Sequence, residues 1–377
     1  MIPPERMPAV VIGGGVIGSA AAYYLAQAGI KPIVLERDPM PAQASVRNAG
    51  GVRAQCRSRV ERLLAMRSID LWAKFTADTG DDLEYHRGGN LRLALKESGL
   101  KTFAAEAAEE AADGLHTEIW DRGDLRRRAP YLSPRFAGAK YCASDGHANP
   151  ILATWAMTRA AARAGAVMWW GARAEGIETR GRRIVGVRGS ADGAPFRIAT
   201  PLVIHAAGPW TSKPAADLGL RLPLTPARNA ILVTQTAAPL FGTFVSSHEL
   251  EVYMRQARAG QVHIGGVSNV LGTFDQEVTT AEIASLARAC EVIPELGGMN
   301  VLRVWSGTLD MTPDHLPIIG RPAGIDGYIV AAGFSGHGFC LSPAVGRTLC
   351  DLARESAPGL DISALSPDRF STDSGTA

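Results

Sequence analysis

The chain has 377 residues, long enough to bury a large core and to divide into two interleaved domains. Its apolar fraction of 46% and charged fraction of 20% are those of a soluble globular protein and exclude a disordered or fibrous one. Lys and Arg number 39 against 37 Asp and Glu, so no global field recruits nucleic acid or an anionic membrane.

Ala9 to Ile12 is an apolar run that predicts a buried parallel strand, followed by Gly13-Gly14-Gly15-Val16-Ile17-Gly18 and a helix over 16–28. Gly13 permits the tight turn, Gly15 lets the backbone approach a pyrophosphate, and Gly18 lets the helix pack closely on the sheet. The helix aims its free N–H groups and positive dipole end at phosphates. Pro32 to Glu36 predicts the second strand, with the Glu36 carboxylate placed to accept from a ribose diol. Residues 8–30 carry no charge, yet the three glycines at 13–15 break a membrane helix. Glu5 and Arg6 cancel where a signal peptide needs a basic segment, so neither a span nor a leader is expected.

Further along, 40–57 is loop-like, 58–79 has helical periodicity, 84–96 is strand material around Gly88-Gly89, and 101–113 is an Ala/Glu helix. Arg122, Arg126, Arg127 and Arg128 form a basic cluster expected to be a solvated helix end. A helix is predicted over 151–164, strands over 166–178, 183–189 and 201–207, and a strand-rich stretch over 220–268. Within that stretch Val252, Met254 and 261–265 are expected to pair antiparallel. A helix over 280–290, a return to the sheet near 301–305, a strand over 328–332, a glycine-rich loop over 333–338 and a helix over 343–355 complete the core. Residues 363–377 are small and polar and are expected to fray. The five cysteines (56, 142, 290, 340, 350) form no C-x-x-C pair and have no nearby histidine set, so no metal is expected and reduced thiols fit a cytoplasmic protein.

The opening fingerprint does not choose between flavin and nicotinamide. Four later blocks do: Ala44 to Gln55; Ala206-Ala207-Gly208-Pro209-Trp210; Trp305 to Gly320; and Ala332 to Phe339. Together with the fingerprint they resemble the D-amino-acid-oxidase-like flavoprotein family, which includes glycine oxidase, the sarcosine oxidases and dimethylglycine dehydrogenase. The resemblance runs from about residue 8 to 355. It implies an α/β plus α+β fold, with a discontinuous Rossmann-like FAD-binding domain (1–85, 140–215 and 300–377) and an antiparallel-sheet substrate domain (86–139 and 216–299).

The expected FAD contacts are Gly13, Gly15, Val16, Ile17, Gly18, Glu36, Arg37, Ser45, Asn48, Ala49, Gly50, Gly51, Ala174, Ala207, Gly208, Trp210, Gly307, Gly333, Phe334, Ser335, Gly336, His337, Gly338 and Phe339. Loop 333–338 and the helix it opens would present N–H groups to the pyrimidine side of the flavin. Family members differ from this chain at instructive places. Glycine oxidases carry a substrate-clamping arginine where Leu309 stands, and monomeric sarcosine oxidase a lysine where Cys340 stands. No cysteine lies in 305–318 for covalent FAD, Pro150 occupies the place of a covalent FMN histidine, and His147 is read as an ordinary loop residue. FAD is therefore expected to be noncovalent.

The resemblance implies oxidation of the Cα–N bond of a small amine, an N-substituted or D-amino acid, by hydride transfer to flavin N5 and imine hydrolysis. The candidate substrate-side residues are Arg53, Gln55, Tyr253, Arg255 and His337. A carboxylate-bearing substrate needs a cation, and an arginine fork suits it. Arg53 is equally a flavin-phosphate or surface contact, Arg255 an exposed strand arginine, Tyr253 a half-buried sheet tyrosine, and His337 a packing residue. His263 is read as a sheet residue. Competing readings are a 2-hydroxy-acid dehydrogenase, a β-type subunit that is inactive alone and passes electrons to a partner subunit or other acceptor, and a flavin-binding structural protein.

Overall fold

The computed structural model describes residues 3–266 and 269–370. They form two compact units, Met1–Val46 with Ala153–Pro226 and Leu309–Ala377, and Arg47–Leu152 with Ala227–Thr308. The unit edges fall elsewhere than the expected domain edges. Residues 47–85 and 140–152 join the second unit, where buried polar ties hold them: Gln55 Nε2 donates to the Asn90 carbonyl at 2.8 Å, and Lys140 Nζ donates to Glu110 at 3.0 Å.

The first unit carries a sheet in the order 318–320, 328–332, 203–205, 10–12, 33–36, 167–170. Its neighbours run parallel except 318–320 against 328–332. Its inner strands are buried on both faces, which is why they read as continuous apolar runs. Helices Val16–Gln27 and Gly338–Ala353 pack together so tightly that a Cβ on Gly346 would stand 2.7 Å from Ala20. An antiparallel meander of 172–180, 183–191 and 194–199 completes this unit. The expected strand 166–178 is split at Gly171, whose φ of +74° ends strand 167–170 and reorients the chain; the third strand of the meander is additional.

The second unit is built on a nine-stranded sheet among the described residues. Val252–Gln256 pairs antiparallel with Gln261–Gly266 as expected, and 244–247 pairs parallel with 90–94. One face, with Leu232, Met254, Val262 and Ile264, packs on the core under helices 122–128, 280–286 and 289–292. The other presents Ile231, Val233, Phe244, Tyr253 and Trp305. The single helix expected over 280–290 is two short ones, since the chain turns at Ala287 and Arg288. Strand 84–96 begins only at Asn90, because Glu84 (φ +50°) and Gly89 (φ +84°) are left-handed. Helix Arg122–Arg128 carries the four arginines exposed, behind an Asp121 capping box.

Two further expectations are corrected. The last long helix starts at Gly338, not 343, with Pro343 inside it. The Phe339 carbonyl that Pro343 cannot reach is taken by the Ser342 hydroxyl at 2.9 Å. Residues 363–370 do not fray: Leu365 and Pro367 are buried, and Arg369 pairs with Asp314 at 2.9 Å. The rest of that tail, 371–377, and positions 267–268 of the strand-rich stretch lie outside the described residues. None of the described helices is long and apolar enough to cross a membrane.

Candidate functional site

In the first unit the glycine turn is built by contact. Gly13 has φ +105°, and a Cβ there would stand 2.4 Å from the Ala206 carbonyl; on Gly18 it would stand 1.9 Å from the Gly13 carbonyl. Both positions exclude any other residue. The helix that follows has Gly15 as N-cap with no side-chain cap and no acidic residue in its first turn, so its positive end is kept for an anion. Ser45 closes over it, with Oγ accepting the Val16 N–H at 3.0 Å. With the Val16 N–H taken by Ser45, the first-turn amides of Ile17 and Gly18 are the donors that would fit a pyrophosphate.

Glu36 sits at the end of strand 33–36, where Oε2 accepts Gly14 N–H at 2.7 Å and Oε1 accepts Asp38 N–H at 3.0 Å. Burial raises its pKa, and the two backbone donors oppose that. The Arg37 guanidinium lies over the Trp210 ring, 3.7 Å from its centre, which brings two of the expected contacts together. Gly208 (φ +54°) has open space around it, and Ala207 precedes the short turn 208–211. Ala174 lies partly buried in the meander against the same core.

Loop 333–338 is held by a residue that the sequence reading named only within a block. The Asp310 carboxylate accepts the Gly333 N–H at 2.6 Å, and its carbonyl accepts the Ser335 N–H at 2.9 Å. Burial pushes the Asp310 carboxyl up to about 6. Gly333 (φ +71°), Ser335 (φ +50°) and Gly336 (φ +88°) are all left-handed, so the loop is a tight reversal that needs those ties. His337 is the N-cap residue of helix 338–353 and is half-buried, Phe334 packs against Gly338, and Phe339 is buried in the first turn. Leu309 faces Gly336 and supplies an apolar wall. Pairing Asp310 with Gly333 was beyond sequence reasoning; the signal was the single acid in strand 301–311.

The second unit holds the other expected residues. Asn48 Oδ1 accepts the Gly50 N–H at 2.7 Å, and a Cβ on Gly50 would meet the Ala148 carbonyl at 1.9 Å. Trp305 Nε1 donates to the Arg47 carbonyl at 3.2 Å, and Arg47 donates to the Ser306 carbonyl at 2.9 Å, pinning loop 47–51 beside buried Gly307. Arg53 lies 5.8 Å over the Phe244 ring, which stacks on Tyr253 at 5.8 Å and 19°. A Cβ on Gly51 would touch Phe244 at 3.1 Å. Desolvation draws the Arg53 pKa down, with Arg57 adding to it, and lifts that of Tyr253 to about 12. The Tyr253 hydroxyl donates to Asn229 Oδ1 at 3.2 Å, and its ring lies flat over Gly265. Ala49, Phe244, Tyr253 and Trp305 thus make an apolar face with Arg53 at its edge.

Three expectations change here. Gln55 is fully buried and donates Nε2 to the Asn90 carbonyl at 2.8 Å, so it anchors the loop. Arg255 is not an exposed strand arginine: it is 1% exposed, donates Nε to the Ala49 carbonyl, and borders a separate cavity that Arg53, Gln55 and Tyr253 do not line. His147 is no loop residue, since it pairs with Gly51 and bridges to His86, and burial lowers its pKa to about 3. His263 is the sheet residue expected, edge-on to Trp305 at 6.0 Å. All five cysteines are free.

Comparison with known proteins gives one consistent result. The family described as FAD dependent oxidoreductase matches residues 9–352. Hydrogen cyanide synthase subunit HcnC of Pseudomonas aeruginosa is 29% identical, covering 96% of this chain and 95% of its own. An opine oxidase subunit of Rhizobium meliloti is also 29% identical, over 93% of this chain and 97% of its own. The crystal structure of L-proline dehydrogenase from P. horikoshii superposes with a TM-score of 0.93 at 27% identity, covering 98% and 99% of the two chains.

Proposed function

Because this chain belongs to the family of FAD-dependent oxidoreductases, we propose that it oxidises the Cα–N bond of a small carboxylate-bearing amine, an N-substituted or D-amino acid. The bound FAD supplies the hydride acceptor. The chain's own part is to bind, orient and exclude water. Arg53 offers a half-buried guanidinium to the substrate carboxylate, and the Tyr253 hydroxyl, whose single proton otherwise goes to Asn229 Oδ1, turns to donate to the same carboxylate. Phe244 keeps the amine end dry and uncharged, the form that gives up hydride, and the imine product hydrolyses in water. Loop 333–338, whose amides at 333, 335 and 337 are spent on Asp310 and Phe334, sets the start of helix 338–353 behind its N-cap His337, and the first amides of that helix serve where negative charge collects.

The observation that carries this reading is the grouping of Arg53, Phe244 and Tyr253 on one sheet face: a cation at the border of an apolar wall. FAD is held without a covalent bond, as no cysteine lies in 305–318 and Pro150 stands at the other attachment place. Two relatives are named as subunits, which supports an electron-accepting partner subunit for this chain as well. The test is anaerobic mixing with sarcosine, dimethylglycine, proline derivatives, opines, D-amino acids and 2-hydroxy acids. Bleaching of the visible flavin band by an amine supports the reading. Bleaching by hydroxy acids alone replaces it with alcohol oxidation. Reduction without turnover, relieved by a co-purifying protein, would support a partner subunit.

A further inference from the structure

The second unit contains a cavity of about 520 Å³, bordered by residues 82–86, His147, 237–242 and 255–260. Its wall is well made: Gln256 donates to the Ala238 and Gly260 carbonyls at 2.9 and 3.0 Å and accepts the Leu240 N–H at 2.6 Å. Two polar groups bordering it are not satisfied in that way. Among the described residues Arg255 has one hydrogen-bond acceptor, Ala49, for five N–H donors, and no carboxylate stands within ion-pair distance. His147, 5% exposed, has its Nδ1 buried with no partner. The acids at the rim are already engaged, since Asp82 and Glu84 lie 2.5 and 3.5 Å from Arg258 and Glu84 also accepts from Asn149 at 3.2 Å.

A guanidinium kept from water, with only the more distant charge of Glu84 (shared with Arg258) to offset it, is costly. Arg255 stays cationic at neutral pH, since burial lowers it only to about 10. A lone buried cation bordering a roomy cavity is the arrangement that an oxyanion completes, through a two-pronged pair with the fork. The His147 ring, neutral at that pH, borders the cavity beside the fork.

We infer that this cavity binds a small metabolite bearing an oxyanion, a carboxylate or a phosphate monoester, held by the Arg255 guanidinium with His147 beside it. The site is distinct from the one read around Arg53 and does not depend on that reading.

The experiment is calorimetric titration of the FAD-loaded protein with malonate and, separately, inorganic phosphate, on wild type, Arg255→Gln, Arg255→Lys and Arg53→Gln. A saturable binding event that persists in Arg53→Gln, where the substrate-side cation is gone, is expected for one of the two probes, which tells carboxylate from phosphate. Arg255→Gln should weaken it by about 10- to 100-fold, Arg255→Lys less, and Arg53→Gln not at all. Gly242→Val narrows the cavity without touching Arg255 and should weaken binding too, which keeps the test open if Arg255→Gln does not fold. No saturable binding by wild type, or equal binding by wild type, Arg255→Gln and Gly242→Val, would overturn the proposal. Binding lost in Arg53→Gln and kept in Arg255→Gln would also overturn it, while leaving the substrate reading in place.

Discussion

Glu36 reaches back across the glycine turn to take the Gly14 N–H at 2.7 Å, so the acid at the end of one strand fixes the loop that leaves its neighbour. A ribose diol would meet a carboxylate already oriented by two backbone donors. Glu36→Ala removes both roles. FAD should bind about 10- to 100-fold more weakly, read by titrating apoprotein and following flavin fluorescence. Unchanged affinity would remove Glu36 from the cofactor site.

Gly13→Ala should be more severe. The new Cβ would sit 2.4 Å from the Ala206 carbonyl at φ +105°, and nothing there is a flexible side-chain end. Strain of about 1–3 kcal/mol is expected, with a lower melting temperature and poor retention of FAD. Thermal unfolding of apoprotein separates the strain from the loss of ligand.

Arg53→Ala should raise KM for a carboxylate-bearing amine by about 10- to 100-fold and change kcat less, since the charge is asked only to bind. Tyr253→Phe should act the same way and more weakly. A carboxylate inhibitor whose affinity is unmoved by Arg53→Ala would sink the clamp.

Acid should weaken the fold. His147, His205 and His263 are each held near pKa 3 by burial, against an ordinary 6.5. Below pH 6.5 the unfolded chain takes up protons that the folded one refuses, so stability is full above that pH and falls as pH drops toward 3. Urea midpoints measured from pH 7.5 to 4 should show this decline. His263→Phe, which removes a ring whose Nδ1 has no partner, should make it shallower.

Much of the first unit was legible because its rules are local. Gly13 and Gly18 stand where backbone conformation or contact demands glycine, and apolar runs such as Tyr328 to Ala332 have one reading in a parallel sheet. The misreadings also have causes. Pro343 looked like a helix start because the hydroxyl that repairs it, one residue earlier, carries no periodic signal. Gly171 looked like strand because a single left-handed residue does not alter an apolar pattern. Arg255 looked like an exposed strand arginine or a substrate clamp, and only the fold shows it against Ala49, a residue 206 positions away. Asp310 and Gly333 are likewise joined across 23 positions, a distance at which composition is silent.

The bond from Ser342 to Phe339 keeps helix 338–353 continuous across Pro343, and the contact of Gly346 with Ala20 sets where that helix lies: a slide of one residue would bring Val345 or Arg347 to a crossing at which even a Cβ would stand 2.7 Å from Ala20. The helix has a single admissible register. Its leading amides, and with them the reversal at 333–336, are indexed to one place along the chain.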